Sequence, residues 1–420
     1  MTKDLDLKIK KQVDKNHEEM VSFLQQLLRI DSETGKEKNI QDFLEKYLLN
    51  LGLEVDKFEP SKKLLQGQSG YIPLNIDFSD RPNVVGTLKG NSKGKSLILN
   101  GHTDTITAEP IEAWTFGPFS GTIQEGKIYG RGAADMKSGV AAMIMALKVV
   151  KDLKICLKGD VIVECVVDEE YSGYGTLSCI AKGYQADAGI CCETSDLNIQ
   201  PACIGRQWFF IDVYGKTSSI TNKWESVSAI EKGIKIVNTI NDLEEIRIND
   251  LFHPLYNNNR SALPCSVFVF KSGSFPSAIP ERARLEGSLG TMPFEKVEDV
   301  KNQVINQVKK ISDTDPWMRN HPPKITFAPT GGFGAEISMD DPIVKDLEQS
   351  FKKMTNMIPI ISGRTGGSDT RFLINYGNTP SVIFGPGSTS QMHAIDEHVK
   401  IEDFLIAVET IALTIANWCI

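Results

Sequence analysis

Residues 96–105 read Ser96-Leu97-Ile98-Leu99-Asn100-Gly101-His102-Thr103-Asp104-Thr105. The apolar run is short and does not alternate. That is the pattern of a strand buried on both faces, as in the middle of a parallel sheet. His102 and Asp104 then lie just past its carboxyl end, where open α/β sheets place ligands. A histidine with a carboxylate beside it suits a metal ligand and the group that orients it. An isolated H-x-D is a weak signal; three further strand ends carrying acids or a histidine give it weight.

Outward from that stretch, Gly130-Arg131-Gly132-Ala133-Ala134-Asp135-Met136-Lys137 opens a helix over about 137–150, dense in Ala, Met, Val and Leu and therefore expected to be buried. Asp160–Val167 reads as a strand ending in Asp168-Glu169-Glu170, and Ala186–Cys192 as another ending at Glu193. Upstream, the spacing predicts helices over about 16–30 (Met20, Phe23, Leu24, Leu27, Leu28) and 37–50 (Ile40, Phe43, Leu44, Tyr47, Leu48), the second closed by Gly52. A strand at Glu54–Phe58 precedes a long irregular segment, Ser61–Arg81, and then a strand at Val84–Leu88. Gly121–Gly130 reads as a hairpin turning at Glu125-Gly126. The run Gly90–Ser96 resembles a phosphate loop, but its glycine spacing is one residue short and it precedes a strand instead of following one.

Downstream the pattern changes. Strands at Trp208–Tyr214, Ser266–Phe270, Arg284–Leu289 and Lys324–Ala328 are interleaved with helices over Ser226–Arg247, with Ile230, Ile234, Val237 and Ile240 on one face, and over Phe294–Ile311. This β-α-β-β-α-β order carries no candidate ligand cluster and reads as a self-contained insert. From Asp341 the α/β pattern resumes: a helix to about 356, a strand at Ile358–Ile361, a loop at Gly363–Asp369, a strand at Ser381–Phe384, then a glycine loop, Met392-His393 and a last helix over about 401–417. The expected fold is α/β, a mostly parallel sheet flanked by helices with an inserted ferredoxin-like domain. Residues 1–205 and 331–420 form the main α/β domain and 206–330 the insert.

At 420 residues, 41% hydrophobic and 24% charged, the composition is that of a soluble globular protein. A net charge of -8 argues against a nucleic-acid binder. Met1–Lys15 is polar and lacks the apolar core of a signal peptide, and no run of about 18 apolar residues predicts a membrane span. Eight cysteines, without a C-x-x-C, point to a reducing cytoplasm and no disulfide framework.

Five positions stand just after an apolar strand or a glycine turn: His102, Asp135, Glu170, Glu193 and His393. Charges at such places are costly to bury unless paired or bound to metal. Two histidines and three carboxylates suit Zn²⁺, or Co²⁺ or Mn²⁺. Five ligands are too many for one tetrahedral ion and suit two ions sharing a bridge, about 3.5–4 Å apart.

With GHTDT at 101–105, GRGAADMK at 130–137, DEE at 168–170, ET at 193–194, GGSDTRF at 366–372 and GPG…HAIDEHV at 385–399, the chain resembles the metal-dependent amidohydrolases and exopeptidases of the acetylornithine deacetylase, succinyl-diaminopimelate desuccinylase, aminoacylase and carboxypeptidase G family. The resemblance implies that His102 and Glu193 hold one metal, that Glu170 and His393 hold the other and that Asp135 bridges them. It further implies that Asp104 orients His102 and that Glu169 is the general base. Alternation across a strand end would let Glu169 and Glu170 face water and metal separately. The Gly366-Gly367-Ser368 turn offers backbone N–H groups to a substrate carboxylate. Asp369 and Arg371 read as a scaffold pair.

In this family the insert is a lid and dimerisation domain, implying a homodimer. Its first strand is normally followed by a G-x-x-x-H turn whose histidine polarises the scissile carbonyl. Here the turn is Gly215-Lys216-Thr217-Ser218-Ser219, so Ser219, a shorter and uncharged donor, replaces the histidine. The RPNVVGTLKG run (81–90) and VSAIEKGIKI (227–236) look most like the deacetylase/desuccinylase branch, which includes aminopyrimidine deformylases. The implied activity is hydrolysis of a small N-acyl substrate. The alternatives are a dipeptidase or carboxypeptidase, and a metal-binding homologue impaired by Ser219.

Overall fold

The computed structural model describes residues 4–420, so the first three residues of the polar Met1–Lys15 segment lie outside it. The chain divides into two compact units. One is formed by Met1–Ala202, Ile337–Ser362 and Ser368–Ile420, the other by Cys203–Glu336 and Gly363–Gly367.

The first unit is built on a mixed sheet. Its strands are β1 (Glu54–Phe58), β2 (Asn83–Leu88), β3 (Leu97–His102), β6 (Val161–Val166), β7 (Ala188–Cys191), β8 (Ile199–Cys203) and β15 (Ser381–Ile383), in the order β1-β2-β6-β3-β7-β15-β8. The middle four, β6-β3-β7-β15, run parallel. β1, β2 and β8 pair antiparallel at the flanks. Alternate residues face opposite layers. Leu97 and Leu99 enter the main core, under the helices Lys137–Asp152 and Ile401–Trp418, while Ile98 joins Val85, Ile162, Cys179 and Leu373 beneath Tyr174–Ala181 and Thr370–Asn375. With both faces covered, the central strands must be apolar throughout, which is why they read as unbroken runs.

A small sheet joins the hairpin β4 (Thr122–Gln124) and β5 (Lys127–Tyr129) to β16 (His398–Lys400). It draws together the segments that lead into Gly130–Asp135 and out of His393–Glu397.

The second unit is a four-stranded antiparallel sheet of β9 (Gly205–Tyr214), β10 (Cys265–Ser272), β11 (Arg282–Thr291) and β12 (Lys324–Phe327), ordered β10-β11-β9-β12 and covered by the helices Ala229–Asp250 and Val297–Thr314. The expected face of the first helix is corrected. Ile240 is buried, but Ile230 and Ile234 are exposed, and Ala229, Gly233, Ile236 and Leu243 face the sheet. Gly233 belongs there because Phe270 fills the space its side chain would need.

Other differences are local. Leu5–Lys15 is a helix anchored by Ile9 and Val13. The strand expected at Ile358–Ile361 begins where that segment was to end, as β14 (Ile361–Arg364), and Ile358 and Ile360 are exposed. The strands Ile199–Cys203, Ala335–Glu336 (β13) and His398–Lys400 and the helices Tyr174–Ala181 and Thr370–Asn375 are among the elements that the spacing did not mark.

Candidate metal centre

Because β6, β3, β7 and β15 are parallel neighbours, their carboxyl ends open on one edge. The segments leaving them carry Asp168–Glu170, His102, Glu193 and His393 respectively. Asp135 arrives from the loop that starts the helix Lys137–Asp152. That helix approaches β7 so closely that a Cβ on Gly139 would overlap the Cys192 carbonyl. The Asp135–Met136 peptide is cis.

The side chains converge. His102 Nε2 lies 3.1 Å from Asp135 Oδ1, 3.3 Å from Glu193 Oε1 and 4.0 Å from Glu169 Oε2. His393 Nε2 lies 3.4 Å from Asp135 Oδ2 and 3.2 Å from Glu170. Asp135 thus turns one oxygen to each histidine. Metal–ligand bonds of about 2.1 Å in a tetrahedron separate donor atoms by about 3.4 Å, which is the spacing seen here. Two triads, His102–Asp135–Glu170 and His102–Glu169–Glu193, are compact enough to hold an ion. The donors are imidazole nitrogen and carboxylate oxygen, a set that fits zinc, cobalt or manganese.

His102 Nδ1 lies 2.9 Å from the backbone oxygen of Asp104 and 3.7 Å from its carboxylate. Donation from Nδ1 to that oxygen leaves the Nε2 lone pair for a metal. The Asp104 carboxylate has other work. Oδ1 accepts the N–H of Glu169, and Oδ2 accepts the N–H of Glu170 and the Thr34 hydroxyl. The alternation expected of Glu169 and Glu170 is therefore corrected. Both lie in a turn beyond β6, after Asp168 in the left-handed region (φ 70°), and Asp104 fixes their backbone.

Asp168 is pinned in turn. Arg81 donates to Asp168 and to both oxygens of Glu37, at 2.7–2.9 Å, all three groups buried, and the Ser172 hydroxyl donates to Asp168. Glu397, equally buried, holds the Asp135 loop. Neither Arg81, Glu37 nor Glu397 was singled out from sequence. The only hints were Arg81 at the end of a long loop and Glu397 within the HAIDEHV run.

The electrostatics follow from the crowding. Burial, then the Asp135 charge, pushes Glu170 up to about 8, and burial raises Glu169. Contacts to Asp135 and Glu170 raise His393 to about 10. Burial works against protonation of His102, yet Asp135 and Glu193 hold it well above the usual range. Burial pushes Asp104 up to about 7. Asp135, Glu169, Glu170 and Glu193 thus crowd negative charge that a divalent cation held there would offset.

Of the other expected residues, Ser368 and Asp369 lie in the first unit, Asp369 near enough to Glu169 and His102 to feel their charge. Ser368 is buried, its Oγ 3.5 Å from Cys191 Sγ and accepting the Thr370 N–H. Asp369 is buried and accepts the Thr176 hydroxyl. Gly366, Gly367 and Ser219 belong to the second unit. Gly367 accepts from Arg364 through its carbonyl. Ser219 is exposed, and its hydroxyl oxygen accepts from the N–H and hydroxyl of Thr221.

Residues 98–417 match the family model described as peptidase family M20/M25/M40. The chain belongs to this family. It is 29% identical to the N-formyl-4-amino-5-aminomethyl-2-methylpyrimidine deformylase of Bacillus subtilis (strain 168), over 98% of this chain and 97% of that one. Among solved structures it resembles a tripeptidase from Staphylococcus aureus (TM-score 0.75, 22% identity, 96% and 99% of the two chains). It also resembles a dinuclear metal-binding M20 peptidase from Bacillus subtilis (TM-score 0.65, 15% identity, 97% and 99%). At these identities the two structures speak for the M20 fold. No helix among the described residues is long and apolar enough to cross a membrane.

Proposed function

We propose that this M20 hydrolase cleaves the amide bond of a small N-acyl compound at a pair of divalent cations, with zinc the preferred metal and cobalt or manganese substitutes. One observation carries the reading: the two Asp135 oxygens face different histidines, His102 at 3.1 Å and His393 at 3.4 Å. Asp135 would bridge the pair, His102 and Glu193 would complete one site, and Glu170 and His393 the other.

Bound there, the cations supply Lewis acidity and lower the pKa of water. The chain's own residues do the rest. Glu169 stands 4.0 Å from His102 Nε2, farther than Asp135 or Glu193. It takes the proton of the attacking water and passes it to the leaving amine. Asp104 positions this base through its N–H and fixes the His102 tautomer through its carbonyl. Backbone N–H groups of Gly366–Ser368 receive a polar group of the substrate.

A deacylase is favoured over a peptidase because a relative 29% identical to this chain is a deformylase, whereas the peptidases named above, at 22% and 15%, are likenesses of fold. An N-formyl aminomethylpyrimidine is the first substrate to try. The second unit serves as lid and homodimer contact. This is supported by the exposed apolar side chains of that unit, Phe268 and Phe270 on the edge strand β10 and Ile230 and Ile234 on the helix Ala229–Asp250. Eight free cysteines, seven of them buried, fit a reducing cytoplasm.

The test is amine release by metal-loaded and metal-stripped protein from N-formyl, N-acetyl and N-succinyl compounds and dipeptides. Metal-dependent release from N-acyl compounds is expected. Release from dipeptides alone would replace the deacylase reading with the peptidase one.

A further inference from the structure

We infer that Glu397 is a positioning residue for the metal pair: its carboxylate is the internal anion around which the Asp135 loop is folded. The ladder of β16 on β5 sets His398 opposite Tyr129 and so delivers Glu397 to the mouth of the loop. There the Gly130 N–H donates to the Glu397 backbone oxygen at 2.9 Å. The carboxylate then takes four donors. Oε1 accepts the N–H of Ala134 at 2.8 Å and of Asp135 itself at 2.9 Å; Oε2 accepts the N–H of Gly132 at 3.0 Å and Arg131 Nη1 at 2.8 Å.

Successive N–H groups turned onto one centre form an anion-binding concavity, and this one is filled by the chain. Gly132 is in the left-handed region (φ 85°), and a Cβ there would stand 2.9 Å from Thr105 Cγ2. Glu397 is fully buried, so its charge is tolerable only because these donors surround it. Arg131 is buried too, lies over the Trp114 ring, and also donates to the Ala394 carbonyl, one residue past His393.

Glu397 thus ties together the loops that carry Asp135 and His393. The tie acts on the backbone N–H of the one residue proposed to touch both ions. An amide cannot replace the carboxylate, because its NH₂ would face N–H donors on one side or the other.

The inference rests on the proposed two-metal reading and is tested by metal affinity. Full-length wild type, E397Q, E397D and, as a control, E295Q are stripped and titrated with zinc against a chromophoric chelator, with thermal unfolding in parallel. Glu295 pairs with buried Arg247 in the second unit, so E295Q matches the loss of a buried ion pair away from the site. Wild type and E295Q are expected to bind two ions alike, although E295Q is destabilised. E397Q is expected to bind at least one ion about 10–100-fold more weakly, with kcat reduced more than KM. E397D keeps the charge opposite Arg131 and carries the test should E397Q not fold; its expected loss is about tenfold. Wild-type affinity for both ions in E397Q or E397D, whatever their melting temperatures, overturns the inference alone. Failure of wild type to bind two ions overturns it together with the reading beneath it.

Discussion

The two halves of the candidate centre are built differently. His102 is 1% exposed, held at Nδ1 and backed by Glu193, itself 2% exposed. The His393 side chain is 46% exposed, at a left-handed backbone position (φ 62°) on a loop, with Glu170 its companion. His102 closes strand β3 and Glu193 follows β7 by two residues, whereas Glu170 lies in a turn and His393 on a loop. Burial makes a charge dependent on its partners; exposure leaves it to water. The buried half should therefore fix an ion tightly and carry the base, while the open half should exchange its ion and admit substrate.

The largest expected effect falls on the buried half. E169Q should lower kcat by about 10²–10⁴ while both ions remain bound, as read by steady-state kinetics and metal analysis. Metal loss with the activity would make Glu169 a ligand instead of the base. Next, the two histidines should part in the metal-free protein. H102A removes the buried imidazole that Asp135 and Glu193 both face and should cost about 3–5 kcal/mol in denaturant unfolding. H393A should cost at most about 1 kcal/mol. Equal losses would erase the distinction.

A smaller effect is expected in the second unit. Ser219 already caps its own turn. If it is an adaptation to a different substrate, S219H should leave kcat on the N-formyl substrate within about threefold, far short of the 10²–10³ that an oxyanion donor is worth. A gain of that larger size would favour the impaired-homologue reading.

The smallest effect lies behind the buried half. Glu164 faces Asn100 across β6 and β3, accepts its amide at 3.0 Å as its one hydrogen bond among the described residues, and is pushed up to about 7 by burial. Between about 4.5 and 7 the folded chain holds a proton that the unfolded chain has lost, so stability falls as pH rises through that window and is level above it. E164Q should flatten this slope and raise the melting temperature at pH 8 by about 2–4 °C. An unchanged slope would place the pH dependence elsewhere.

Much of this centre could be read from sequence, because three of the candidate donors follow strands whose two buried faces force an unbroken apolar run. His102, Glu170 and Glu193 announce themselves that way, and Asp135 follows a glycine turn. The clamps were not legible. Glu397 acts on backbone N–H groups, which every residue has; Asp104 stood out beside His102, but not its hold on the Glu169 and Glu170 N–H groups; and Arg81 meets Glu37 and Asp168 only in the folded chain. Helix faces were legible where the aliphatic stripe is narrow, as at Met20–Leu28. They were not on Ala229–Asp250, where aliphatics lie on both sides and Gly233 decides which one packs. Leu5–Lys15 hid because just two of its residues, Ile9 and Val13, are buried.

The most direct test of the bridging role is zinc stoichiometry by equilibrium dialysis of metal-free wild-type protein. The expected result is two ions per chain, one bound more tightly than the other, with amine release reaching its full rate only when the second is in place. A single ion per chain with full activity would contradict an Asp135 bridge between two metals.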